Sequence, residues 1–402
     1  MFSSGTYSQD VPFKDIASRR ILVVDDVKIL RHLIASILKK AGFRQIVMAE
    51  NGQEAMYQVA VNPPDIIILD LMMPIMDGME VCKLVRKIED TASIPIIVQT
   101  AMNDNEERLK AFTAGASDLI TKPVNAHELV IRTKLHLKNL VLSEKQEHYR
   151  CRVAEELSTA KDVQQNLLPS TKFLAGIREQ TKLNISSFCQ PSSELGGDFW
   201  GTHLLDNGHV GFYMADFSGH GVVSALNTIR LHTLLFNVNE AWLSPDVLLS
   251  NINTSLCEML PTGQYATMLL GVFSPESNQL QYVAAAAPPP IYGCWSDSDK
   301  YEYIDTTGVP LGISKSASYE INTIAFNQDN FLFCFSDALI ETKMHNGNML
   351  EGEELMSLTK SLSGEKPNPD LLGQVIAAFF ENTGKSLRDD LTVLCFDYTT
   401  GA

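Results

Sequence analysis

Four short apolar runs in the first 125 residues end in, or are followed by, polar residues that could take part in phosphoryl transfer. Asp25 and Asp26 follow ILVV, and Asp70 closes DIIILD. Thr100 closes IPIIVQT, and Lys122 follows SDLIT. Carboxylates that converge repel one another by about 4 kcal/mol per close pair at intermediate dielectric, so such a cluster requires a cation. We therefore expect Asp25 and Asp26 to hold Mg²⁺ beside Asp70.

These residue types suit phosphoryl transfer to a carboxylate. Asp70 becomes the nucleophile, and the Lys122 ammonium pairs with the incoming anion. The Thr100 hydroxyl can then donate a hydrogen bond to the transferred group. Each residue alone could be a surface cap, but their recurrence at matching strand ends favours a site.

A second set of acids lies in the C-terminal half, each at the end or edge of a strand-like run. These are Asp198 in ELGGDFW, Asp216 in MADFSGHG, Asp337 in FCFSDAL, and Asp389 and Asp390 in LRDDLTVL. Clusters of oxygen ligands suit Mg²⁺ or Mn²⁺, and two such ions could orient and ionise a water for in-line attack on a phosphate. His220 is either the proton donor to the leaving oxygen or a turn residue between two glycines.

The elements that must position the first set form a regular series. Five apolar runs alternate with single helical patterns from Arg20 to about Leu140. Strands that are apolar throughout and separated by helices predict a doubly wound, five-stranded parallel α/β sheet. The candidate residues follow the carboxyl ends of its strands, where such sheets bind ligands.

A long helix follows, without Pro or Gly between Ala126 and Pro169. Val153, Leu157, Ala160, Gln164 and Leu167 recur at heptad spacing in its second half, which is typical of a two-helix coiled coil. We expect a homodimer through this helix; the alternative is a helix packed on its own domains.

The texture changes after about Thr181 to longer alternating strands with interspersed helices. That pattern predicts an α+β domain in which two antiparallel sheets face each other with helices outside. The expected organisation is a disordered tail over 1–18, the parallel-sheet domain over 19–126, a helical linker over 127–168 and the two-sheet domain over 169–402.

Composition excludes several classes of function. A formal net charge of −16 is unsuited to nucleic acid, and no apolar stretch is long enough to span a membrane. The seven cysteines have no C-x-x-C spacing, so we expect neither a disulfide framework nor a zinc site. A cytoplasmic protein without nucleic-acid or membrane partners is predicted.

The N-terminal motifs DD, DLMMPIMDG and KP resemble those of two-component receiver domains over the whole length of that domain. The resemblance implies that Asp70 accepts a phosphoryl group from a sensor histidine kinase and that the Met72 carbonyl is a further Mg²⁺ ligand. One position departs from the family, because Leu119 stands where an aromatic switch residue is usual.

The C-terminal motifs resemble the SpoIIE-like branch of the metal-dependent (PPM-type) serine/threonine protein phosphatases. The resemblance rests on Asp198, the Asp216–Gly221 stretch, TTGVPLG, FCFSDALIE, RDDLTVL and the preceding VQQNLLP. It implies two Mn²⁺ or Mg²⁺ ions bridged by Asp216, with further ligands from the Phe217 carbonyl, Asp198, Asp337 and Asp389, and with Asp390 the weaker candidate. The implied substrate is a phosphorylated anti-sigma-factor antagonist.

Three alanines depart from the phosphatase pattern. Ala286 and Ala287 stand where the family commonly has Gly and His, and Ala338 stands where it commonly has Gly. They favour an alternative function, a non-catalytic response-regulator adaptor that binds a sigma factor or an anti-sigma partner. The retained aspartates favour the enzyme, because a buried acidic cluster without its counter-ion is costly.

Overall fold

The computed structural model describes residues 11–101, 105–206, 208–219, 221–236, 239–297, 300–344, 349–350, 352–363, 367–384 and 387–398. The chain divides into two compact units, Met1–Val153 and Ala154–Ala402, and each is described by itself.

The N-terminal unit alternates strands and helices as predicted. Its elements are α1 (Phe13–Ala17), β1 (Arg20–Val24), α2 (Lys28–Lys40), β2 (Gln45–Ala49), α3 (Gly52–Val61), β3 (Ile66–Asp70), α4 (Gly78–Lys87), β4 (Ile96–Ala101), α5 (Asn105–Ala114) and β5 (Asp118–Lys122), followed by α6 (Ala126–Gln165). A short 3₁₀ helix spans Glu89–Thr91.

These five strands form one parallel sheet in the order β2-β1-β3-β4-β5. Both faces of the sheet are buried, which explains why the strands are apolar throughout. The predicted doubly wound fold is confirmed. Its register sets Asp70 opposite Gln99, and Ala101 opposite Lys122, so the polar strand ends meet at one edge.

The expectation of a disordered tail over 1–18 is wrong for residues 11–18; residues 1–10 lie outside the described part of the chain. Val11 and Ile16 are buried in the core of the parallel sheet. The Phe13 ring makes an edge contact with Phe43, and the Lys134 ammonium lies over the Phe13 ring, 4.8 Å from its centroid. The tail is ordered by tertiary contacts that its own polar sequence does not reveal.

The predicted long helix is present as α6, which is continuous over 40 residues. Two ion pairs attach its middle to the start of the chain, between Arg19 and Glu144 and between Lys145 and Asp15. Val153, Leu157 and Ala160 are half-buried while most residues around them are exposed. The coiled-coil dimer remains a prediction.

The C-terminal unit contains ten strands and six further helices among its described residues. They are α7 (Thr171–Thr181), β6 (Leu183–Gln190), β7 (Asp198–Leu204), β8 (Val210–Phe217), α8 (Val222–Phe236), α9 (Pro245–Met259), β9 (Ala266–Ser274), β10 (Gln279–Ala285), β11 (Ile291–Cys294), β12 (Glu302–Tyr303), β13 (Asn322–Ala325), β14 (Asn330–Phe335), α10 (Ala338–Glu341), α11 (Gly352–Ser363), α12 (Leu371–Thr383) and β15 (Leu391–Tyr398). A 3₁₀ helix spans Asn239–Leu243.

The strands form two antiparallel sheets, in the orders β13-β10-β9-β8-β7 and β12-β11-β14-β15-β6. Phe212 and Phe273 of the first sheet pack against Phe396 of the second in one buried cluster. Separate clusters join the first sheet to α8 and α9, and the second sheet to α11 and α12. The predicted two-sheet α+β sandwich with helices outside is confirmed.

None of the helices in the described ranges has the length and apolarity that a bilayer crossing requires.

Candidate functional site

The receiver-like site lies at the carboxyl edge of the parallel sheet. Asp25 and Asp70 are buried, whereas Asp26 is exposed. One carboxylate oxygen from each lies within 4.8 Å of the other two. Burial, more than any neighbouring charge, raises the pKa of Asp25. The predicted three-carboxylate cluster is therefore formed by the fold.

Lys122 is the cation that the sequence assigned to this cluster. Its Nζ lies 2.6 Å from Asp70 Oδ2 and 3.9 Å from Asp25 Oδ2. Thr100 is buried one residue beyond Gln99, which pairs with Asp70 in the sheet. The lysine thus contacts the carboxylate that would be modified, and Thr100 lies near the end of the neighbouring strand β4.

Met72 and Leu119 are the two other positions that the sequence associates with this site. The Met72 amide donates a hydrogen bond to Asp70 Oδ1 at 3.4 Å, while the Met72 side chain is largely exposed. Leu119 is buried in the core on one side of the sheet, beside Ala111 and Ala114. The position where the family usually has an aromatic switch residue is therefore occupied by a buried aliphatic side chain.

The second site is built on a cross-strand pair. Asp198 opens β7 and Asp216 lies near the end of β8, and the antiparallel register sets the two residues directly opposite each other. Directly opposed like charges destabilise a sheet pair. Asp198 is only 5% exposed, and its Oδ2 is buried without a hydrogen-bond partner.

The pKa values of this pair show how crowded the carboxylates are. Burial first, and then the charge of Asp216, raises the pKa of Asp198 well above its usual range. Burial, followed by the charges of Asp337, Asp389 and Asp390, raises the pKa of Asp216. All five predicted acids therefore lie in one region of the sandwich.

Asp337 and Asp389 approach from the second sheet. Asp337 follows the end of β14 and precedes α10, and burial and the Asp389 charge raise its pKa. Asp389 lies just before β15 and is exposed. Their sheet faces the one that carries Asp216, which explains why residues far apart in sequence interact.

Asp390 has a different role from its neighbour. Its Oδ1 accepts hydrogen bonds from the Ser192 amide at 2.7 Å and the Ser192 hydroxyl at 2.9 Å. Its Oδ2 accepts one from the Gly197 amide at 2.5 Å. Both oxygens are thus used to hold the segment that leads into Asp198.

Gly197 makes room for a main-chain oxygen beside the carboxylates. A Cβ at this position would lie 2.9 Å from the Phe217 carbonyl oxygen and 3.1 Å from that of Gly219. A side chain there would therefore displace the backbone next to Asp216. Because glycine has no side chain, Gly197 allows the two carbonyl oxygens to lie this close.

The residues present fit divalent cations at both sites. Each site has a buried carboxylate oxygen without a hydrogen-bond partner, Oδ2 of Asp25 and Oδ2 of Asp198. All donors are hard oxygens, which Mg²⁺ and Mn²⁺ prefer over softer ligands. Among the described residues, only the Asp25 group brings three ligand atoms within 4.8 Å of one another.

Family models match both units of the chain. Residues 21–134 match the response regulator receiver domain, and residues 206–399 match the stage II sporulation protein E (SpoIIE) family. The chain is a receiver domain joined to a SpoIIE domain. Asp198 lies just before the matched range of the SpoIIE domain and pairs across the strands with Asp216, which lies inside that range.

Each of two curated relatives matches less than a third of this chain. The transcriptional regulatory protein YvrH of Bacillus subtilis strain 168 is 42% identical over 118 residues, which are 29% of this chain and 48% of that protein. The phosphate regulon transcriptional regulatory protein PhoB of Pseudomonas aeruginosa is 37% identical over 123 residues, 31% of this chain and 53% of that protein. The chain thus spans about half the length of the curated relatives it matches.

A solved structure supports the fold of the SpoIIE domain. The SiaA-PP2C domain of Pseudomonas aeruginosa is 19% identical, has a TM-score of 0.55, and covers 62% of this chain and 99% of that domain.

Gln164, which sequence reasoning assigned only to a heptad seam, contacts the segment that leads into Asp198. Its amide Nε2 donates to the Gly196 carbonyl at 2.8 Å and to Thr228 Oγ1 at 2.9 Å, and its Oε1 accepts from the Gly196 amide at 3.3 Å. A pocket beside it is lined by Asp198 and Asp390. The last turn of α6 is thus hydrogen-bonded to Gly196, two residues before Asp198. A buried Gln on an otherwise apolar seam was the available signal.

The substituted alanines have unequal consequences in the SpoIIE domain. Ala286 adopts φ 54°, in the left-handed region that favours glycine. Ala338 lies at the start of α10, where alanine is a favourable residue. Ala287 lines the same small pocket as Asp216. Only the first departure strains the backbone.

His220 lies outside the described residues, so its two sequence interpretations stay predictions.

Replacing Ala286 with glycine should stabilise the SpoIIE domain by about 1 kcal/mol, because the left-handed conformation costs alanine more than glycine. Ala338→Gly is the matched control and should destabilise by about 1 kcal/mol, since it lies in a helix. Urea unfolding followed by tryptophan fluorescence measures this domain alone, because Trp200, Trp242 and Trp295 all lie in it. Equal shifts for both variants would contradict the assigned strain.

Proposed function

We propose that the SpoIIE domain is a Mn²⁺- or Mg²⁺-dependent serine/threonine protein phosphatase whose activity is set by phosphorylation of Asp70. The observation that carries the proposal is the cross-strand pair Asp198–Asp216, with its unpartnered buried oxygen. Such a pair is stable only with a cation or a proton.

In this proposal Asp198, Asp216, Asp337, Asp389 and the Phe217 carbonyl would hold two divalent ions. When bound, such ions ionise a water and neutralise charge on a phosphate. Asp390 holds the Gly197 segment through its three hydrogen bonds and so fixes the direction of the Asp198 carboxylate. His220 is the candidate proton donor to the serine or threonine oxygen that leaves.

The receiver reaction follows from the position of Asp70. A carboxylate oxygen of Asp70 attacks the phosphorus of a phosphohistidine on a sensor kinase, the P–N bond breaks, and an acyl phosphate forms. Asp25, Asp26 and the Met72 carbonyl would hold Mg²⁺, which offsets the charge of the phosphoryl oxygens. Lys122, already 2.6 Å from Asp70, would pair with those oxygens, and Thr100 would donate to one of them.

The proposed route between the domains is α6. This helix is continuous from Ala126, directly after the receiver strands, to Gln165. Gln164 at its end holds Gly196 by two hydrogen bonds. A shift or rotation of the last turn would therefore move the backbone that leads into Asp198. The heptad seam supports a homodimer in which paired α6 helices carry this movement.

The proposed substrate is a phosphorylated anti-sigma-factor antagonist in a partner-switching pathway, as the resemblance of the SpoIIE motifs implies. A second candidate function is a non-catalytic adaptor for a sigma factor or anti-sigma partner. The strained Ala286 and the missing imidazole at Ala287 favour it, whereas the intact aspartates favour the enzyme.

Asp216→Asn should reduce Mn²⁺-dependent hydrolysis of p-nitrophenyl phosphate at least about 100-fold, because it removes one charge from the proposed bridging ligand. Asp397→Asn is the matched control. Asp397 is a buried acid of the second sheet whose pKa is likewise raised. It lies near the end of β15 that is far from the site and accepts a hydrogen bond from Asn184. The proposal would be contradicted by full activity of the Asp216 variant, or by a loss of activity in the Asp397 variant alone.

Asp70→Asn should abolish the change in turnover that acetyl phosphate causes in the unaltered chain, since the acceptor oxygen is lost. Basal turnover without the donor should stay within about twofold. The control is Asp90→Asn, an exposed acid of the same domain. Equal responses in the unaltered chain and the Asp70 variant would refute control through this residue.

Gln164→Ala should lower turnover about tenfold and raise the Mn²⁺ concentration needed for half-maximal activity, because Gly196 loses both of its bonds to α6. Gln165→Ala removes an exposed amide from the next position and should leave both quantities unchanged. Identical kinetics for the two variants would show that the contact does not position the site.

A further inference from the structure

An exposed apolar surface adjoins the loop that follows Asp216. On α8, Val222, Val223 and Leu226 are each about half exposed, at 49%, 53% and 54%. Arg230 is exposed one turn further along the same stripe. Tyr265 and Ile313 add exposed apolar area from two other segments. We call these six residues the α8 face.

Hydrogen bonds connect the parts of the α8 face to each other and to the site loop. The Ser218 amide donates to the Tyr265 carbonyl at 2.9 Å, and the Tyr265 amide donates to Ser218 Oγ at 3.0 Å. Asn227 Nδ2 donates to Gln264 Oε1 at 3.2 Å. Ser218 is two residues from Asp216, so the surface is continuous with the carboxylate site.

The segment that carries Ile313 belongs to the same surface. Leu311 and Ala266 exchange two backbone hydrogen bonds, of 2.8 and 3.0 Å. Gly312 packs so closely on Leu260 that an added Cβ would lie 2.7 Å from its Cδ1. Ile313 is therefore held beside the segment that contains Tyr265.

The α8 face carries no acidic side chain. Acidic residues make up 48 of the 402, yet none occurs at 217–239, 259–275 or 306–319, the three runs that carry the face. The charged side chain on its α8 part is the cation Arg230. An anionic partner therefore meets no negatively charged side chain on the α8 face itself.

We propose that the α8 face docks the substrate, which is a folded phosphoprotein that presents an apolar surface next to its phosphorylated residue. This inference rests on the proposed phosphatase function and adds to it how the substrate is chosen. The anionic phosphorylated partner complements the acid-free runs, and the contact of its apolar surface with Val223 and Leu226 directs the phosphate to Asp216.

A second copy of this chain fits the same face less well. A two-fold contact through α8 would place equivalent surfaces together and bring Arg230 near its own symmetry mate. It would also cover the loop after Asp216. A phosphoprotein needs that loop open, and its docking beside it raises the local concentration of the phosphate.

The test compares three substrates of increasing size in the full chain with Mn²⁺. They are p-nitrophenyl phosphate, a phosphoserine peptide, and the folded anti-sigma-factor antagonist phosphorylated on the same serine that the peptide contains. Val223→Asp and Leu226→Asp should each raise KM for the folded phosphoprotein at least about tenfold. Both should leave kcat, and all kinetics with p-nitrophenyl phosphate, within about twofold of the unaltered chain.

Val247→Asp is the matched control. Val247 is 52% exposed, in the first turn of α9, about 18 Å along that helix from its end at Met259. This variant adds the same charge to an equally exposed valine and should leave KM for all three substrates unchanged. Normal hydrolysis of p-nitrophenyl phosphate also shows that each variant is folded.

The possible outcomes separate this inference from the proposed function. If the unaltered chain hydrolyses none of the three substrates, the phosphatase function itself fails. If it hydrolyses them but the α8 variants keep a normal KM for the phosphoprotein, the docking face is wrong. An equal rise in KM for the peptide would indicate a linear segment rather than a folded surface. Conversion of a dimer to a monomer by Leu226→Asp, measured by light scattering, would assign the face to a second copy.

Discussion

The electrostatic repulsion between Asp198 and Asp216 is the constraint on which the C-terminal site depends. The pairing of β7 with β8 sets these two carboxylates opposite each other, and the burial of Asp198 removes water that would screen its charge. The second sheet adds the charges of Asp337 and Asp389. Holding acids in this way raises the free energy of the folded state. A bound cation would instead make the same carboxylates stabilising.

The receiver site meets the same constraint with a different solution. Its buried carboxylates, Asp25 and Asp70, have the Lys122 ammonium within 3.9 Å, so part of their charge is already neutralised by the protein. The largest influences on the pKa of Asp216 are burial and other carboxylates. The two domains therefore differ in how strongly their sites require an external cation, although both use aspartates at strand ends.

The segment that leads into Asp198 is held from two directions. Asp390 binds the amide of Gly197 from the second sheet, and Gln164 binds Gly196 from the end of α6. Neither glycine has a side chain that could anchor it, so its position depends on these partners. The position of Asp198 therefore depends on the last turn of α6, which is the physical basis of the proposed signal route.

The sequence by itself determined most of the secondary-structure elements and the residue types that are available at the two sites. Apolar strands before Asp25 and Asp70 were enough to predict the parallel sheet, because local burial patterns report secondary structure directly. Strands β6 and β7 were harder to recognise, since polar residues and Gly201 interrupt their alternation. Only the tertiary structure decided the cross-strand partner of Asp198, the different tasks of Asp389 and Asp390, the contact of Gln164 with Gly196 and the left-handed conformation of Ala286. Each of these depends on which distant backbone lies alongside, and that information is carried by strand register and sheet packing rather than by any local run of residues.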